Sequence, residues 1–290
     1  MPDFFKYHGL GNDYLVLEPR RFTAAPTAEA VQRICDRNRG IGGDGILWGP
    51  LAGEGARSPF AVRIFNPDGS EAEKSGNGLR IFARFLWDQR YATQSPFQIQ
   101  TPGGTVTVRI LDDAASRIAI EMGQATFDSA RIPVNGPKRD VLREALAIGG
   151  RQLTINAASV GNPHCVVLVD APTPELAREI GPLIERHTLF PNRTNVQFMR
   201  RIDEHAIQIE IWERGAGYTL ASGTSSCAAA AVACRLGLCR SPVTVHMPGG
   251  TLEVRLDADY RIEMEGPVSG IGHGDFLPDL LRETGLVRKG

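Results

Sequence analysis

The chain has 290 residues, with 32 Lys and Arg against 33 Asp and Glu and a net charge of −1. That length is enough for two cores of ordinary size. The balanced charge, with no basic tract, excludes the electrostatic footprint of a protein that binds nucleic acid or an anionic membrane surface. No run of about 18 apolar residues marks a membrane span, and the N-terminus lacks a signal-peptide pattern, so a cytoplasmic location is expected. Five cysteines, Cys35, Cys165, Cys227, Cys234 and Cys239, are odd in number and fit neither a zinc motif nor a disulfide ladder. Reduced thiols and no metal are expected.

In chain order, residues 4–18 read as an apolar strand broken by the turn His8-Gly9-Leu10-Gly11-Asn12-Asp13, whose glycines allow close backbone approach. Residues 28–37 have the spacing of a short amphipathic helix. The glycine cluster at 39–45 lacks the Lys-Ser/Thr of a P-loop and the Gly-x-Gly-x-x-Gly spacing before a helix, so it reads as a tight turn into a strand at 46–48. Another strand, 61–65, ends in the polar turn 66–71, where Asn66 sits. Ser75-Gly76-Asn77-Gly78 then opens a helix with Leu79, Phe82, Ala83 and Leu86 on one face. Residues 97–101 and 105–111 form a hairpin through Gly103-Gly104, and a strand at 117–122 closes a first unit.

The second unit begins near Phe127 and repeats the plan, with a helix over 173–187 and strands at 195–199 and 206–212. Glu213-Arg214-Gly215 leads to Ser222-Gly223-Thr224 and then to a run of Ala, Val and Cys with no charge before Arg235. A helix apolar on every face is buried on all sides. Its first N–H groups have no internal partner and carry partial positive charge, so Ser222 to Thr224, and likewise Ser75 to Asn77, form seats for a carboxylate.

Four pairs of motifs keep one order about half a chain apart. Gly11-Asn12 matches Gly161-Asn162, and Ser75-Gly76 matches Ser222-Gly223. Thr101-Pro102-Gly103-Gly104 matches Met247-Pro248-Gly249-Gly250, and Ile120-Glu121-Met122 matches Ile262-Glu263-Met264. The interval far exceeds the roughly 20 to 50 residues of a solenoid repeat. It predicts two pseudo-symmetric domains, residues 1–118 with about 268–290, and residues 119–267. A pseudo-twofold axis would bring the two helix starts face to face across an interdomain cleft. Helices and strands alternate without a regular βαβ rhythm, so the expected class is α/β (α+β), each domain a mixed or antiparallel sheet wrapped around a central helix.

These motifs resemble those of the diaminopimelate epimerase family, amino-acid epimerases that work without pyridoxal phosphate. The likeness spans nearly the whole chain. It rests on His8 to Asp13, Gly40 to Asp44, Asn66 to Glu71, Gly76-Asn77-Gly78, Gly161 to His164, Thr194-Asn195-Val196, Glu213-Arg214-Gly215 and Gly223-Thr224. The resemblance implies a cofactor-independent 1,1-proton transfer at Cα, LL-diaminopimelate as substrate, the meso isomer as product, and a homodimer. It also implies that Asn12, Asn66, Asn162, Asn195, Glu213 and Arg214 hold substrate together with the backbone at Gly76-Asn77 and Gly223-Thr224. Arg214 would pair with a carboxylate and Glu213 with an ammonium group.

The family's acid/base pair is two cysteines, and here the positions hold Ser75 and Ser222. A thiol ionises at a pKa of about 8.5, lower still at a helix N-terminus. A serine alkoxide needs an adjacent base, and none is evident from spacing; serine is also among the best helix N-caps and needs no chemistry to be there. Gly45, Lys74, Tyr218 and Ser225-Ser226 depart from the family pattern as well. Two other readings stay open. One is an isomerase of the same fold with a different base, for which Lys74 and His164 are candidates, although a solvated lysine and a structural turn histidine explain them better. The other is an amino-acid-binding member without catalysis, by natural or engineered Cys→Ser change.

Overall fold

The computed structural model describes residues 2–52 and 60–289. The chain forms two compact units, Met1–Ile120 with Gly266–Gly290, and Glu121–Glu265.

The first unit opens with β1 (Phe4–Gly9) and β2 (Asn12–Leu17), an antiparallel hairpin turned at Leu10 and Gly11, both at positive φ. α1 (Ala28–Cys35) follows, then β3 (Ile46–Ala52), β4 (Phe60–Phe65) and the short β5 (Glu71–Ala72). α2 (Gly76–Asp88) precedes β6 (Phe97–Thr101), β7 (Gly104–Ile110) and β8 (Arg117–Gln124). β2 lies parallel to β3 and β4 parallel to β6, while β3–β4 and the run β6–β7–β8 are antiparallel.

The second unit contains β9 (Glu144–Ile148), β10 (Arg151–Ser159), β11 (Pro163–Leu168), α3 (Pro174–Glu185), β12 (Asn195–Asp203), β13 (Ala206–Glu213) and β14 (Gly217–Thr219). α4 (Gly223–Arg235), β15 (Val243–Met247), β16 (Gly250–Leu256) and β17 (Arg261–Pro267) complete it. β10–β11 is antiparallel, β11–β12 parallel, β12–β13 antiparallel and β13–β15 parallel, and β15–β16–β17 is again antiparallel. Strand for strand, this is the order of the first unit. The chain then returns to the first unit as β18 (Ser269–Gly274) and α5 (Pro278–Thr284). β18 pairs antiparallel with β1 as β9 does with β10, so the C-terminal return completes the repeated topology. The sheet is mixed, as the irregular alternation predicts. The β9–β10 hairpin, turned at Gly149-Gly150 with positive φ, and β18 have no clear alternation in sequence and are elements that only the structure reveals.

α2 packs on β1, β2 and β3 and buries Leu79, Ile81, Phe82, Phe85 and Leu86 completely. Each such side chain contributes roughly 1.5–3 kcal/mol of hydrophobic stabilisation. α4 touches β10 to β13, β15 and β16, and its Cys227, Ala228, Ala229, Ala230, Ala231, Val232 and Ala233 are all fully buried, as its uniform apolarity predicts. The amphipathic α1 and α3 cover separate cores. Val31 and Ile34 pack with Leu15, Leu17 and Ile46; Ala177, Ile180 and Ile184 pack with Ile155, Val167 and Phe198. Both helices are shorter than the sequence pattern suggests, α1 ending at Cys35 because Asp36 turns extended. Among the described residues, no helix is long and apolar enough to cross a membrane.

Candidate active site

Each central helix starts on a serine. Ser75 is extended (φ −138°, ψ 119°), and its Oγ accepts the Gly78 N–H at 3.1 Å, while its carbonyl accepts the Leu79 N–H at 2.9 Å. Ser222 is extended in the same way (φ −148°, ψ 126°), its Oγ accepting from Ser225 N–H at 3.4 Å and its carbonyl from Ser226 N–H at 3.1 Å. Both serines are thus N-caps. In each helix the cap uses the third and fourth N–H groups. The first two, on Gly76 and Asn77 and on Gly223 and Thr224, lie outside the helical ladder at the positive end of the dipole, the arrangement that suits an anion.

Around Ser75 the polar side chains form a chain of bonds. Asn77 Nδ2 donates to Asn12 Oδ1 at 3.2 Å, and Asn12 Nδ2 donates to Asp44 Oδ2 at 2.8 Å. Behind them the fully buried Arg80 donates from Nη2 to Asn77 Oδ1 at 2.6 Å. Arg37 and the Asp13 N–H hold Asp44 in turn. Asn12 and Asn77, far apart in sequence, therefore share one rigid network. Asn66 lies apart from it, in the turn after β4, donating to Ser70 Oγ at 3.0 Å. Lys74, directly before Ser75, is partly exposed. The hydroxyl of Tyr14 lies 3.4 Å from Ser75 Oγ. Its buried ring occupies the space over Gly45, where a Cβ would stand 2.6 Å from the ring and closer still to the Phe65 carbonyl oxygen.

Around Ser222 the partners are different. Glu213, at the end of β13, carries a carboxylate that hydrogen-bonds Ser222; burial raises its pKa and the serine opposes the rise. Asn195 is buried and fully engaged, accepting the Arg214 N–H at 3.0 Å and donating to the Pro163 carbonyl at 2.9 Å. It holds the turn that carries Glu213 and Arg214. Arg214 is exposed, with Nη1 on the Asn192 carbonyl at 3.2 Å. His164 Nε2 lies 2.9 Å from Asn162 Oδ1. Burial pushes the His164 pKa down to about 3, with Gln197 opposing the shift and Arg214 adding to it. Burial thus weakens the ring as a proton acceptor, and its hydrogen-bonding distance to Asn162 makes it a support for that side chain. Tyr218 donates to Glu210 Oε2 at 2.7 Å beneath the Arg178 guanidinium.

Two contacts of the capping serines escape the sequence reading. Tyr14 looks like one more aromatic in a buried strand, and only Gly45 across from it hints at a ring needing room. Glu213 and Ser222 are separated by a turn and β14, with no periodic spacing to connect them. Among the described residues, no group of three or more His, Cys, Asp and Glu side chains converges as a metal site would.

Two mixed-sheet units of one topology, each centred on a helix that starts at a capping serine, make up a fold shared with solved structures. The structure superposes on a probable proline racemase from Agrobacterium radiobacter with a TM-score of 0.69 and 16% identity, covering 96% of this chain and 94% of that one. It superposes on methylitaconate-delta-isomerase with a TM-score of 0.64 and 11% identity, covering 94% of each. Sequence likeness is narrower and stronger. The diaminopimelate epimerase family model matches residues 4–128 and 156–271. "Diaminopimelate epimerase 2" of Nostoc sp. is 53% identical over 277 residues, 96% of each chain. The diaminopimelate epimerase of Desulfitobacterium hafniense is 38% identical over 287 residues, 96% of this chain and 99% of its own. The chain belongs to the diaminopimelate epimerase family.

Proposed function

We propose that this protein is a cofactor-independent amino-acid epimerase that interconverts LL- and meso-diaminopimelate by 1,1-proton transfer at Cα, a step toward lysine and peptidoglycan precursors. The observation that carries the reading is the repeated helix start, a capping serine followed by two N–H groups outside the ladder. Removing the Cα proton pushes negative charge into the α-carboxylate. Preorganised N–H donors at a helix terminus stabilise charge where it develops, which is the largest single contribution in many such reactions.

In this reading Ser75 and Ser222 hold the acid/base positions. Glu213 meets the ammonium group, Arg214 reaches a carboxylate from its exposed position, and Asn12, Asn66 and Asn162 face the substrate while Asn195 sets the Glu213–Arg214 turn. A cytoplasmic homodimer accords with the family resemblance.

The test is Cα hydrogen–deuterium exchange followed by NMR, with the protein in D₂O and LL-diaminopimelate. The expected result is loss of the Cα proton signal together with accumulation of the meso isomer. Exchange confined to another amino acid would move the substrate and keep the chemistry. Tight binding with no exchange would replace the epimerase by a binding protein.

A further inference from the structure

Resting on that epimerase reading, we infer that Arg80 and Asp44 are positioning residues: at the two ends of the Asn77–Asn12 pair, they lock both amides in one direction and hold Asn12 Nδ2 as a donor for a substrate carboxylate oxygen. The row lies wholly within the first unit. It runs from Arg80 Nη2 to Asn77 Oδ1 at 2.6 Å, from Asn77 Nδ2 to Asn12 Oδ1 at 3.2 Å, and from Asn12 Nδ2 to Asp44 Oδ2 at 2.8 Å.

An amide carries its acceptor on one arm and its donors on the other, and a half-turn exchanges them. The ends of this row forbid that turn. A guanidinium has only donors, so a reversed Asn77 would set Nδ2 against Arg80 Nη2. Arg80 is completely buried, and its Nη1 also donates to the Gly76 carbonyl at 3.5 Å, which pins the guanidinium to the first turn of α2. Asn77 and Gly76 stand three and four residues before Arg80, the spacing at which helix neighbours meet. At the far end both oxygens of Asp44 are acceptors already, Oδ1 from Arg37 Nη2 at 2.8 Å and Oδ2 from the Asp13 N–H at 3.1 Å. The Asp44 N–H donates to the Asp13 carbonyl at 2.7 Å, and Asp13 is held by Arg37 at 2.6 Å and Lys6 at 3.0 Å. A reversed Asn12 would therefore set Oδ1 against a carboxylate that is fixed in place. The bond between the two amides passes the direction from one to the other.

The lock decides what this part of the site offers a ligand. Each amide nitrogen has two protons, and the row uses one of them. Asn77 is buried, whereas Asn12 is only half-buried, so the second Asn12 proton is the one a ligand can reach. The backbone N–H of Asn77 belongs to the anion seat at the start of α2, and fixing the Asn77 side chain keeps that N–H in a set relation to the Asn12 donor. Two donors arranged in advance suit a carboxylate rather than an ammonium group, and their prior ordering lowers the entropy lost on binding.

The experiment compares Asp44→Asn, Arg37→Gln, Arg80→Met and Arg80→Lys with the unaltered protein, each as the full chain with isotope-labelled asparagine. NMR without substrate follows the Nδ2 proton signals, assigned through Asn12→Ala and Asn77→Ala, and kinetics give KM and kcat for inversion of LL-diaminopimelate. Asp44→Asn keeps the shape of the side chain and gives it donors, which frees Asn12 to reverse. It is expected to shift the Asn12 signals, speed their exchange with water and raise KM about tenfold or more, the size of one lost hydrogen bond to a charged group. The change in kcat should be smaller, because the lost contact serves binding. Arg37→Gln removes the ion pair but leaves Asp44 an acceptor, so its KM should rise less. Arg80→Met should shift the Asn77 signals, and Arg80→Lys, which keeps a cationic donor, should recover part of the change; if the Met variant does not fold, Asp44→Asn and Arg80→Lys decide the matter. Asn12 signals unmoved by Asp44→Asn, a fall in kcat as large as the rise in KM, or an equal rise in Arg37→Gln would overturn the inference and leave the epimerase reading standing. Shifted signals in a protein that neither binds LL-diaminopimelate nor exchanges its Cα proton would instead sink the epimerase reading, and with it the role given to Asn12.

Discussion

The two units run the same strand order, yet their central helices are built from opposite materials. α2 fills its surroundings with Leu79, Ile81, Phe82, Phe85 and Leu86, whereas α4 presents little beyond alanine and lets the strands approach closely. Their helix starts coincide in backbone and differ in partner, a phenol beside Ser75 and a carboxylate beside Ser222. Their desolvated carboxylates also diverge. Burial would raise the Asp3 pKa, but Arg288, the Phe276 N–H and Arg21 bring it below the ordinary value, and Arg37 and Lys6 do the same for Asp13. In the second unit burial wins, and Glu210 and Glu213 are both raised. The lesson is that a backbone plan of ladders and caps is indifferent to side-chain size and charge. One topology can therefore carry two different chemical environments.

The serines give the most severe test of that contrast. Ser75→Ala and Ser222→Ala should each slow inversion by about 10²–10⁴-fold, while losing a helix cap costs only about 1 kcal/mol. Urea unfolding alongside the NMR assay separates the two effects, and a variant that keeps its inversion rate would reduce that serine to a cap. Next come the helices themselves. Phe82→Ala should cost about 3–5 kcal/mol by opening a cavity, whereas the damaging change on α4 is enlargement, Ala230→Leu, at about 1–3 kcal/mol. A tolerated leucine at 230 would contradict the close packing on which the comparison rests.

The pH dependence of stability gives the smallest effect and the cleanest sign. Asp3 has a lowered folded-state pKa. Its stabilisation is present above the unfolded value, about 3.9, and is lost as pH falls through the folded value. Glu213 has a raised pKa. Its contribution is most favourable below the unfolded value, about 4.3, and is lost as pH rises through the folded one. Asp3→Asn should therefore lower Tm at pH 7 and approach the unaltered protein in acid. Glu213→Gln should raise Tm at pH 7, with the gain vanishing below about pH 4. Thermal melts of the two variants across pH 3–8 would show slopes of opposite sign; parallel slopes would erase the electrostatic difference between the units.

Much of the architecture is legible in the amino-acid order because it is local. A serine capping the N–H three residues on, a glycine pair turning a hairpin and a helix apolar all round depend on neighbours along the chain, which is why Ser75, Ser222 and the repeated plan can be read directly. β18 is different: Ser269 to Gly274 is almost wholly exposed and has no alternation, and it becomes a strand because β1, at the far end of the chain, supplies the ladder. His164 follows the same rule, since its type suggests a base and only complete burial lowers its pKa and weakens it as one. The sequence by itself determined the helix starts, the duplicated topology and the family. Tertiary structure alone decided which group stands beside each serine. Desolvation and contacts between distant residues arise from packing, which no short-range pattern encodes.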